Sequence, residues 1–311
     1  MAASFDLLVL GDVNPDLILH GDVVPRFGQA ERLVDDAALV LGGSGAITAC
    51  GAAKLGLRVA VVGVVGDDLF GRFAVETLTQ RGVYTDGVVV DHERPTGLSV
   101  VLVRGDDRAT LTSSGTIADL RADMVDPALL GETRHVHVSS YYLQTALRPD
   151  VPALFRAAHD GGATTSIDPN WDPEGSWDGG LLETLRSTDL FLPNRTEACA
   201  ITGASDVDRA AEDLARRGPT VAVKDGHRGA LAVDGGRSCR AEAIPSDVVD
   251  ATGAGDSFDA GFIAGHLHGW PLERCLRLAV ACGSLSTLAP GGTAAQPSLV
   301  EALAALDAMP G

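Results

Sequence analysis

Short hydrophobic runs alternate along the chain with segments of helical periodicity. Residues 5–10 and 59–65 are apolar and are bounded by glycine or aspartate, which is typical of buried strands. Residues 44–55 and 69–81 instead repeat their apolar positions every three to four residues, as amphipathic helices do. A further short buried strand is predicted at 88–90. The alternation predicts βαβ units that build a parallel sheet.

From residue 134 onward the alternation is regular. Strands are predicted at 135–138, 165–168, 190–192 and 221–224, with helices such as 151–159 and 206–217 between them. Three helical patterns then close the chain, at 255–269, 272–288 and 299–309. The fold class predicted is therefore α/β, with a doubly wound, mostly parallel sheet flanked by helices.

Four shorter and more polar segments interrupt the first half of the chain. They lie at 17–20, 32–34, 98–104 and 109–112, and residues 104–108 would form the loop of the last pair. Such segments are typical of antiparallel hairpins. Because no linker or repeat is found, we expect one α/β domain over residues 1–311, with insertions at about 16–40 and 96–113 that combine into a small β-sheet lid.

Composition narrows the possible partners. The 24 basic and 42 acidic residues give a net charge of −18, which repels phosphate backbones and anionic lipids. We therefore expect neither nucleic acid nor membrane as a partner, and no apolar run approaches the ~20 residues that span a bilayer. The five cysteines form no CxxC pair, which indicates reduced thiols and a cytoplasmic location.

The strongest chemical signal is the run Val-Asp-Ala-Thr-Gly-Ala-Gly-Asp-Ser-Phe at 249–258. Small residues before a helix leave backbone N–H groups uncovered, and the helix dipole favours an anion there. Asp256 then stands at the helix start, where it is either a helix cap or a base for an attacking hydroxyl. Neither of the two lysines, Lys54 and Lys224, follows a glycine, so a Walker A loop is excluded. The combination favours phosphoryl transfer without that motif.

Several segments, in this order along the chain, resemble the motifs of the ribokinase-like, or pfkB, family of carbohydrate kinases. The resemblance covers residues 5 to about 305. The matching segments are Gly11-Asp12-Val13-Asn14-Pro15-Asp16, Gly42-Gly43-Ser44-Gly45-Ala46, the stretch 64–71, Pro193-Asn194-Arg195-Thr196-Glu197 and the run 250–256. The resemblance implies a ribokinase-like fold and an ATP- and Mg²⁺-dependent kinase of a small sugar or sugar-derived acceptor.

The resemblance also implies roles for individual residues. Asp256 would be the catalytic base, and the anion hole for the γ-phosphate would be Gly253, Ala254 and Gly255. The acceptor hydroxyls would be held by Asn14, Asp16, Gly42 and Gly43. The nucleotide would be bound by Asn194, Lys224, Gly226, Gly229, Val280 and Gly283, with Glu197 organising Mg²⁺ indirectly.

A monovalent cation is a further implication of the resemblance. Asp250 and Thr252 match positions that bind such a cation in many members of the family. The other half of that loop departs from the usual pattern through Pro290-Gly291-Gly292, so K⁺ dependence is left open.

Three further features bear on the substrate and on assembly. Ile47 stands where related sugar kinases usually carry an asparagine that grips a hydroxyl, so either the preferred acceptor presents a deoxy carbon or apolar group there, or Ile47 only packs beneath the lid. The segment Asp168-Pro169-Asn170 ends a strand at the ligand-binding edge of the sheet. It is followed by Trp171-Asp172-Pro173 where the family often has an arginine, so no role is assigned to it. The lid would expose Leu17, Leu19, Leu98, Val100 and Leu102 on one face, which together with the family resemblance predicts a homodimer.

Three other functions compete with a sugar kinase. A nucleoside kinase keeps the same fold and changes only the acceptor. A non-catalytic sugar-binding protein is disfavoured by the intact Asp256. A dinucleotide-binding oxidoreductase is suggested by Gly43-Ser44-Gly45 before a helix, but Thr48 replaces the third glycine of GxGxxG and 59–65 lacks the acidic ribose partner.

Overall fold

The computed structural model describes residues 3–104 and 107–307. Fourteen strands lie in this part of the chain: β1 (Leu7–Leu10), β2 (Asn14–His20), β3 (Asp36–Gly42), β4 (Val59–Val62), β5 (Val64–Gly66), β6 (Val89–Asp91), β7 (Leu98–Arg104), β8 (Asp107–Ser113), β9 (His135–Val138), β10 (Thr164–Ile167), β11 (Leu190–Phe191), β12 (Thr220–Lys224), β13 (Ala230–Asp234) and β14 (Arg237–Ala241).

Ten α-helices connect and cover these strands: α1 (Ser44–Lys54), α2 (Leu69–Gln80), α3 (Pro127–Gly131), α4 (Val151–Asp160), α5 (Leu181–Thr184), α6 (Arg195–Thr202), α7 (Val207–Ala215), α8 (Ala254–Leu267), α9 (Leu272–Ser286) and α10 (Leu299–Asp307). Residue 309, where the last helix was predicted to end, lies outside the described residues. No helix in the described ranges is long and apolar enough to cross a membrane.

The central sheet has eight strands in the order β14-β13-β12-β11-β10-β9-β1-β4. The strands from β4 to β12 in this order pair in parallel, and β13 and β14 add an antiparallel hairpin. Every residue of β1 is buried because helices cover both faces of the sheet. Leu7 and Val9 pack toward α1, α8 and α9, whereas Leu8 and Leu10 pack toward α4 and α7. The predicted doubly wound arrangement is confirmed.

A separate four-stranded sheet has the order β3-β2-β7-β8 and is built from the two predicted insertions. The prediction of antiparallel hairpins holds for β2 with β3 and for β7 with β8. Between the two insertions, for which no strand direction was predicted, β2 and β7 pair in parallel. The strand predicted at 32–34 is wrong, since β3 begins only at Asp36. Residues 105–106 of the last loop lie outside the described ranges.

The predicted strand 59–65 is broken into two strands at Gly63. A Cβ on Gly63 would lie 2.6 Å from the carbonyl oxygen of Gly11, so the absence of a side chain permits this close passage. After the break, β5 leaves the central sheet and pairs with β6. The prediction of a buried strand at 88–90 is also wrong, because β6 pairs with β5 outside the main sheet. Val90 is 46% exposed there.

Candidate active site

One large cavity lies at the carboxyl edge of the central sheet, between that edge and the four-stranded sheet. Its volume is about 1320 Å³. All but two of the site residues predicted from the sequence line it; the exceptions are Gly42 and Asp250. The carboxyl edge is where open α/β sheets usually bind ligands, because strand ends and helix N-termini converge there.

The turn before α8, at residues 251–253, has the backbone geometry of an anion site and is called the anion turn below. Gly253 is the N-cap residue, with a left-handed φ of 71°, and a Cβ there would lie 2.6 Å from Cα of Gly292. The N–H of Ala254 donates to the carbonyl of Ala251 at 3.3 Å. No such acceptor is found among the described residues for the N–H groups of Gly253 and Gly255. These two groups are therefore the better donors to an anion.

Asp256 lies on the first turn of α8 and is only 8% exposed. It is not a helix cap, since Gly253 occupies that position and no side chain caps the helix. Burial, followed by the negative charge of Asp168, raises the pKa of Asp256 to about 8, although Lys224 acts in the opposite direction. A carboxyl group with a pKa near the working pH is suited to accept a proton from a hydroxyl.

A buried ion cluster lies directly beneath Asp256. The ammonium of Lys224, at the end of β12, donates to Oδ2 of Asp168 at 3.1 Å and to both carboxylate oxygens of Asp259 at 2.9 and 3.0 Å. These bonds use all three N–H donors of the lysine. Burial lowers the pKa of Lys224, but the two carboxylates outweigh it and the net pKa is raised. Lys224 thus lines the cavity, while its ammonium is bonded to aspartates in the protein interior.

Oxygen donors suited to Mg²⁺ are present at the same place. Carboxylate oxygens of Asp168, Asp256 and Asp259 lie within 4.8 Å of one another. Asp168 and Asp259 are both ion-paired with the ammonium of Lys224, so their carboxylates are already engaged within the protein. Glu197 bonds the backbone N–H and the amide of Asn194 in a capping box at the start of α6. Burial and Asp168 raise the pKa of Glu197 to about 7. Asn194 and Glu197 are bonded to each other and therefore fit an indirect, water-mediated role toward Mg²⁺.

The part of the cavity lined by Asn14, Asp16 and Gly43 is polar and tightly built. Asn14 donates to the carbonyl of Pro15 at 3.1 Å, and its own Oδ1 is buried with no partner in the described part of the chain. Burial and the charge of Asp12 raise the pKa of Asp16 to about 7. Gly42 makes room for this carboxyl, because a Cβ there would lie 2.2 Å from it. Gly43 has a φ of 79°, in the region that favours glycine.

Ile47 faces the cavity and is also tightly packed, so the two alternatives for its role stay open. It lines the cavity and is 3% exposed. It also packs against the anion turn, because a Cβ on Gly292 would lie 2.6 Å from its Cδ1 and a Cβ on Gly253 would lie 3.0 Å from its Cγ2. An apolar side chain therefore stands between the predicted acceptor end and the turn before α8.

The residues predicted for a monovalent cation are bonded to each other. One oxygen of Asp250 accepts from the N–H and hydroxyl of Thr252, at 2.8 and 2.7 Å, and the other accepts from the N–H of Gly291 at 2.8 Å. Asp250 therefore ties the anion turn to the Pro-Gly-Gly loop. The K⁺ site stays a prediction.

Four residues of the site were given no role from the sequence. Asp12 accepts from the N–H groups of Ser44 and Gly45, both at 3.0 Å, and so fixes the start of α1. Asp168 and Asp259 form the ion cluster, and Arg108 of β8 donates to the hydroxyl of Thr252 at 3.0 Å. The position of Asp259 three residues after Asp256 was an available signal, since both then lie on one helix face.

Comparison with known proteins agrees with this geometry. The family model for pfkB family carbohydrate kinases matches residues 4–299. An ATP-dependent ribose-1-phosphate kinase from Halopiger xanaduensis is 32% identical over 93% of this chain and 94% of its own length. The match spans nearly the whole chain and defines a kinase of small molecules, and this protein belongs to the pfkB family of carbohydrate kinases. It is an ATP-binding phosphotransferase, which excludes the oxidoreductase alternative.

Solved structures share the whole fold. A protein assigned as a ribokinase II from Escherichia coli, in complex with ATP and Mg²⁺, has a TM-score of 0.87 at 24% identity, covering 98% of this chain and 100% of that one. An adenosine kinase from Sinorhizobium meliloti has a TM-score of 0.85 at 28% identity, covering 99% and 100%. The comparisons thus leave a sugar and a nucleoside open as the acceptor class.

Proposed function

We propose that this protein transfers the γ-phosphate of ATP to a hydroxyl of a small sugar or sugar-derived acceptor, with Asp256 as the base. The observation that carries the proposal is the placement of the Asp256 carboxyl beside uncovered backbone N–H groups at the start of α8. A base and an anion site next to each other are what an attack by a hydroxyl on a phosphate requires.

In this proposal, each end of the cavity has a separate task. Asn14 and Asp16 bind and orient the acceptor so that its reacting hydroxyl faces Asp256, which takes the proton as the new P–O bond forms. The N–H groups of Gly253 and Gly255 stabilise charge on the transferred phosphoryl group. When bound with ATP, Mg²⁺ supplies positive charge that neutralises the phosphates. Asn194 and Glu197 would hold its hydration shell.

The four-stranded sheet acts as the lid in this proposal. Asp16, Ser99, Val101 and Thr110 line the cavity from its inner face. Arg108 joins the lid to the anion turn through the hydroxyl of Thr252. A lid that rests on this turn would exclude water from the phosphate during transfer.

A screen for ADP release tests the function directly. Free sugars, sugar acids, sugar phosphates, polyols and nucleosides are offered with ATP and Mg²⁺. Turnover with a sugar-type acceptor supports the proposal. A panel that yields no acceptor-dependent ADP, while sugars still bind, would favour the non-catalytic sugar-binding alternative.

A nucleoside acceptor is the second candidate. The supporting observation is the likeness to the Sinorhizobium meliloti adenosine kinase over the whole chain. The same screen separates the two classes, because a nucleoside kinase turns over nucleosides in preference to the free sugars.

Ile47 is expected to select the acceptor. A hydroxyl buried against it would lose a hydrogen bond worth about 1–3 kcal/mol, which corresponds to roughly tenfold to a hundredfold in kcat/KM. The native enzyme should therefore prefer a deoxy acceptor over its matched hydroxylated form, and Ile47→Asn should reverse the order. Ile47→Val is the control for altered packing against Gly292. If the native enzyme favours the hydroxylated sugar tenfold and Ile47→Asn changes nothing, Ile47 has no role in selection.

The outer face of the lid is expected to join two copies of the chain. Its strands align Leu39, Leu17, Val100 and Leu111 in one apolar row across the sheet, and Leu111 is 62% exposed. Light scattering at micromolar concentration should give about twice 32.0 kDa, because burying this row removes apolar area from water. Leu111→Lys should then give a monomer. Val300→Lys on α10 is the control, and a monomeric native protein would refute the dimer.

A further inference from the structure

An exposed indole ring stands in the wall of the cavity. Trp171 is 57% exposed, yet it lines the cavity. Among the described residues, Phe258 is the other phenyl or indole side chain that lines the cavity, and it is only 4% exposed. A large flat apolar surface that faces a binding cavity offers a stacking partner to a ligand ring.

The backbone around Trp171 is held rigidly. Asn170 adopts a left-handed φ of 54°, and its amide donates to the hydroxyls of Ser44 and Ser140 at 3.2 and 3.0 Å. The Oδ1 atom of Asn170 accepts from the N–H of Trp171 at 2.7 Å. These bonds hold the backbone from which the indole projects, which lowers the entropy cost of stacking on the ring.

A row of aromatic rings supports the indole from behind. Trp171 packs edge-on against Trp177, with 5.1 Å between ring centroids and 85° between planes. Trp177 packs in the same way on the buried Tyr142, at 5.6 Å and 90°. The edge-on contact with Trp177 leaves more than half of the Trp171 side chain exposed.

Trp171 belongs to the acceptor end of the cavity. The amide of Asn170 binds Ser44, which directly follows Gly43 at the start of α1. Two of the predicted nucleotide-binding residues, Val280 and Gly283, instead lie on α9. At the acceptor end, apolar side chains that include Ile117 and Leu143 line the cavity together with the polar groups that would hold a sugar.

We propose that Trp171 stacks on a second ring of the acceptor. The preferred substrate is then a sugar joined to a ring with a flat face, such as the base of a nucleoside, an aryl group or a second sugar, and not a free monosaccharide. The inference rests on the proposed function, because it assumes that the Asn14 end of the cavity binds the acceptor.

The test compares kcat/KM for acceptors with and without a second ring. Inosine, 4-nitrophenyl β-D-ribofuranoside and sucrose represent the three kinds of second ring, and ribose, fructose and methyl β-D-ribofuranoside lack one. We expect at least one of the first group to exceed its matched monosaccharide by tenfold or more. Trp171→Ala should remove this advantage, Trp171→Phe should retain most of it, and the KM for ATP should stay within twofold. Trp270→Phe, on the loop before α9, is the control.

Several outcomes overturn the inference. It is wrong if the enzyme prefers monosaccharides. It is also wrong if Trp171→Ala lowers kcat/KM equally for all acceptors, which is the result expected if Trp171 only packs against the lid. If no acceptor is phosphorylated, binding decides instead. Quenching of tryptophan fluorescence by the ringed acceptors in the native protein, lost in Trp171→Phe, would support the inference while the kinase proposal fails. No quenching would overturn the inference as well.

Discussion

Asp256→Asn is expected to lower kcat by about 10²–10⁴-fold, the usual size of a general-base contribution, and to leave ATP affinity nearly unchanged. The substitution keeps the shape of the side chain but removes its ability to take a proton. Because Gly253, and not Asp256, occupies the helix N-cap, the loss cannot be explained by a missing cap. Steady-state kinetics with the acceptor found in the screen, together with ATP binding by calorimetry, measures both quantities.

Asp206→Asn is the matched control for this experiment. Asp206 is an exposed N-cap residue that accepts from the N–H of Arg209 at the start of α7. Asparagine caps helices about as well as aspartate, so kcat and thermal stability should stay at native values. A fall of less than about tenfold in Asp256→Asn, with the control unchanged, would mean that Asp256 is not the base.

The parallel core could be predicted because its strands are buried on both faces. In β1 and β4 every residue is apolar, so each reads as a continuous hydrophobic run even without a partner. The hairpin of β13 and β14 was missed, although Gly235 and Gly236 between them both have the positive φ of a tight turn. The partner of a strand is harder to predict. Nothing local to β2 indicates that it pairs in parallel with β7 across a long stretch of chain.

Most of the predicted site residues gather in one cavity, because several of them follow a strand end or start a helix at the carboxyl edge of the central sheet. The ion cluster of Lys224, Asp168 and Asp259 could not be predicted from the sequence. It joins side chains that follow β10, end β12 and lie one turn into α8, and no motif links these positions in sequence. The sequence suggested that Lys224 lies along the nucleotide, and it does line the cavity. Only the structure reveals that its ammonium is bonded to two buried aspartates.

Substitution of Lys224 in this ion cluster is expected to have a large effect on stability and on the pH dependence of the reaction. Lys224→Met should lower the free energy of unfolding by about 3–5 kcal/mol, because it leaves the carboxylates of Asp168 and Asp259 buried without their cation. It should also change the pH dependence of kcat/KM. The proposed base must be ionised to act, so the native rate should fall as the pH drops below the Asp256 pKa of about 8. Since Lys224 lowers that pKa, its removal should move the acid limb to higher pH.

The two effects of Lys224 can be separated. Lys54→Met removes the other lysine of the chain, which is exposed at the end of α1, and should change neither stability nor the acid limb. Lys224→Met combined with Asp168→Asn removes, together with the cation, the buried negative charge that raises the Asp256 pKa, so part of the stability should return and the limb should move back toward the native pH. If Lys224→Met destabilises the protein while the acid limb stays within about 0.3 pH units of native, less than the ~1 unit by which neighbouring charges usually shift a pKa, the lysine supports only the fold.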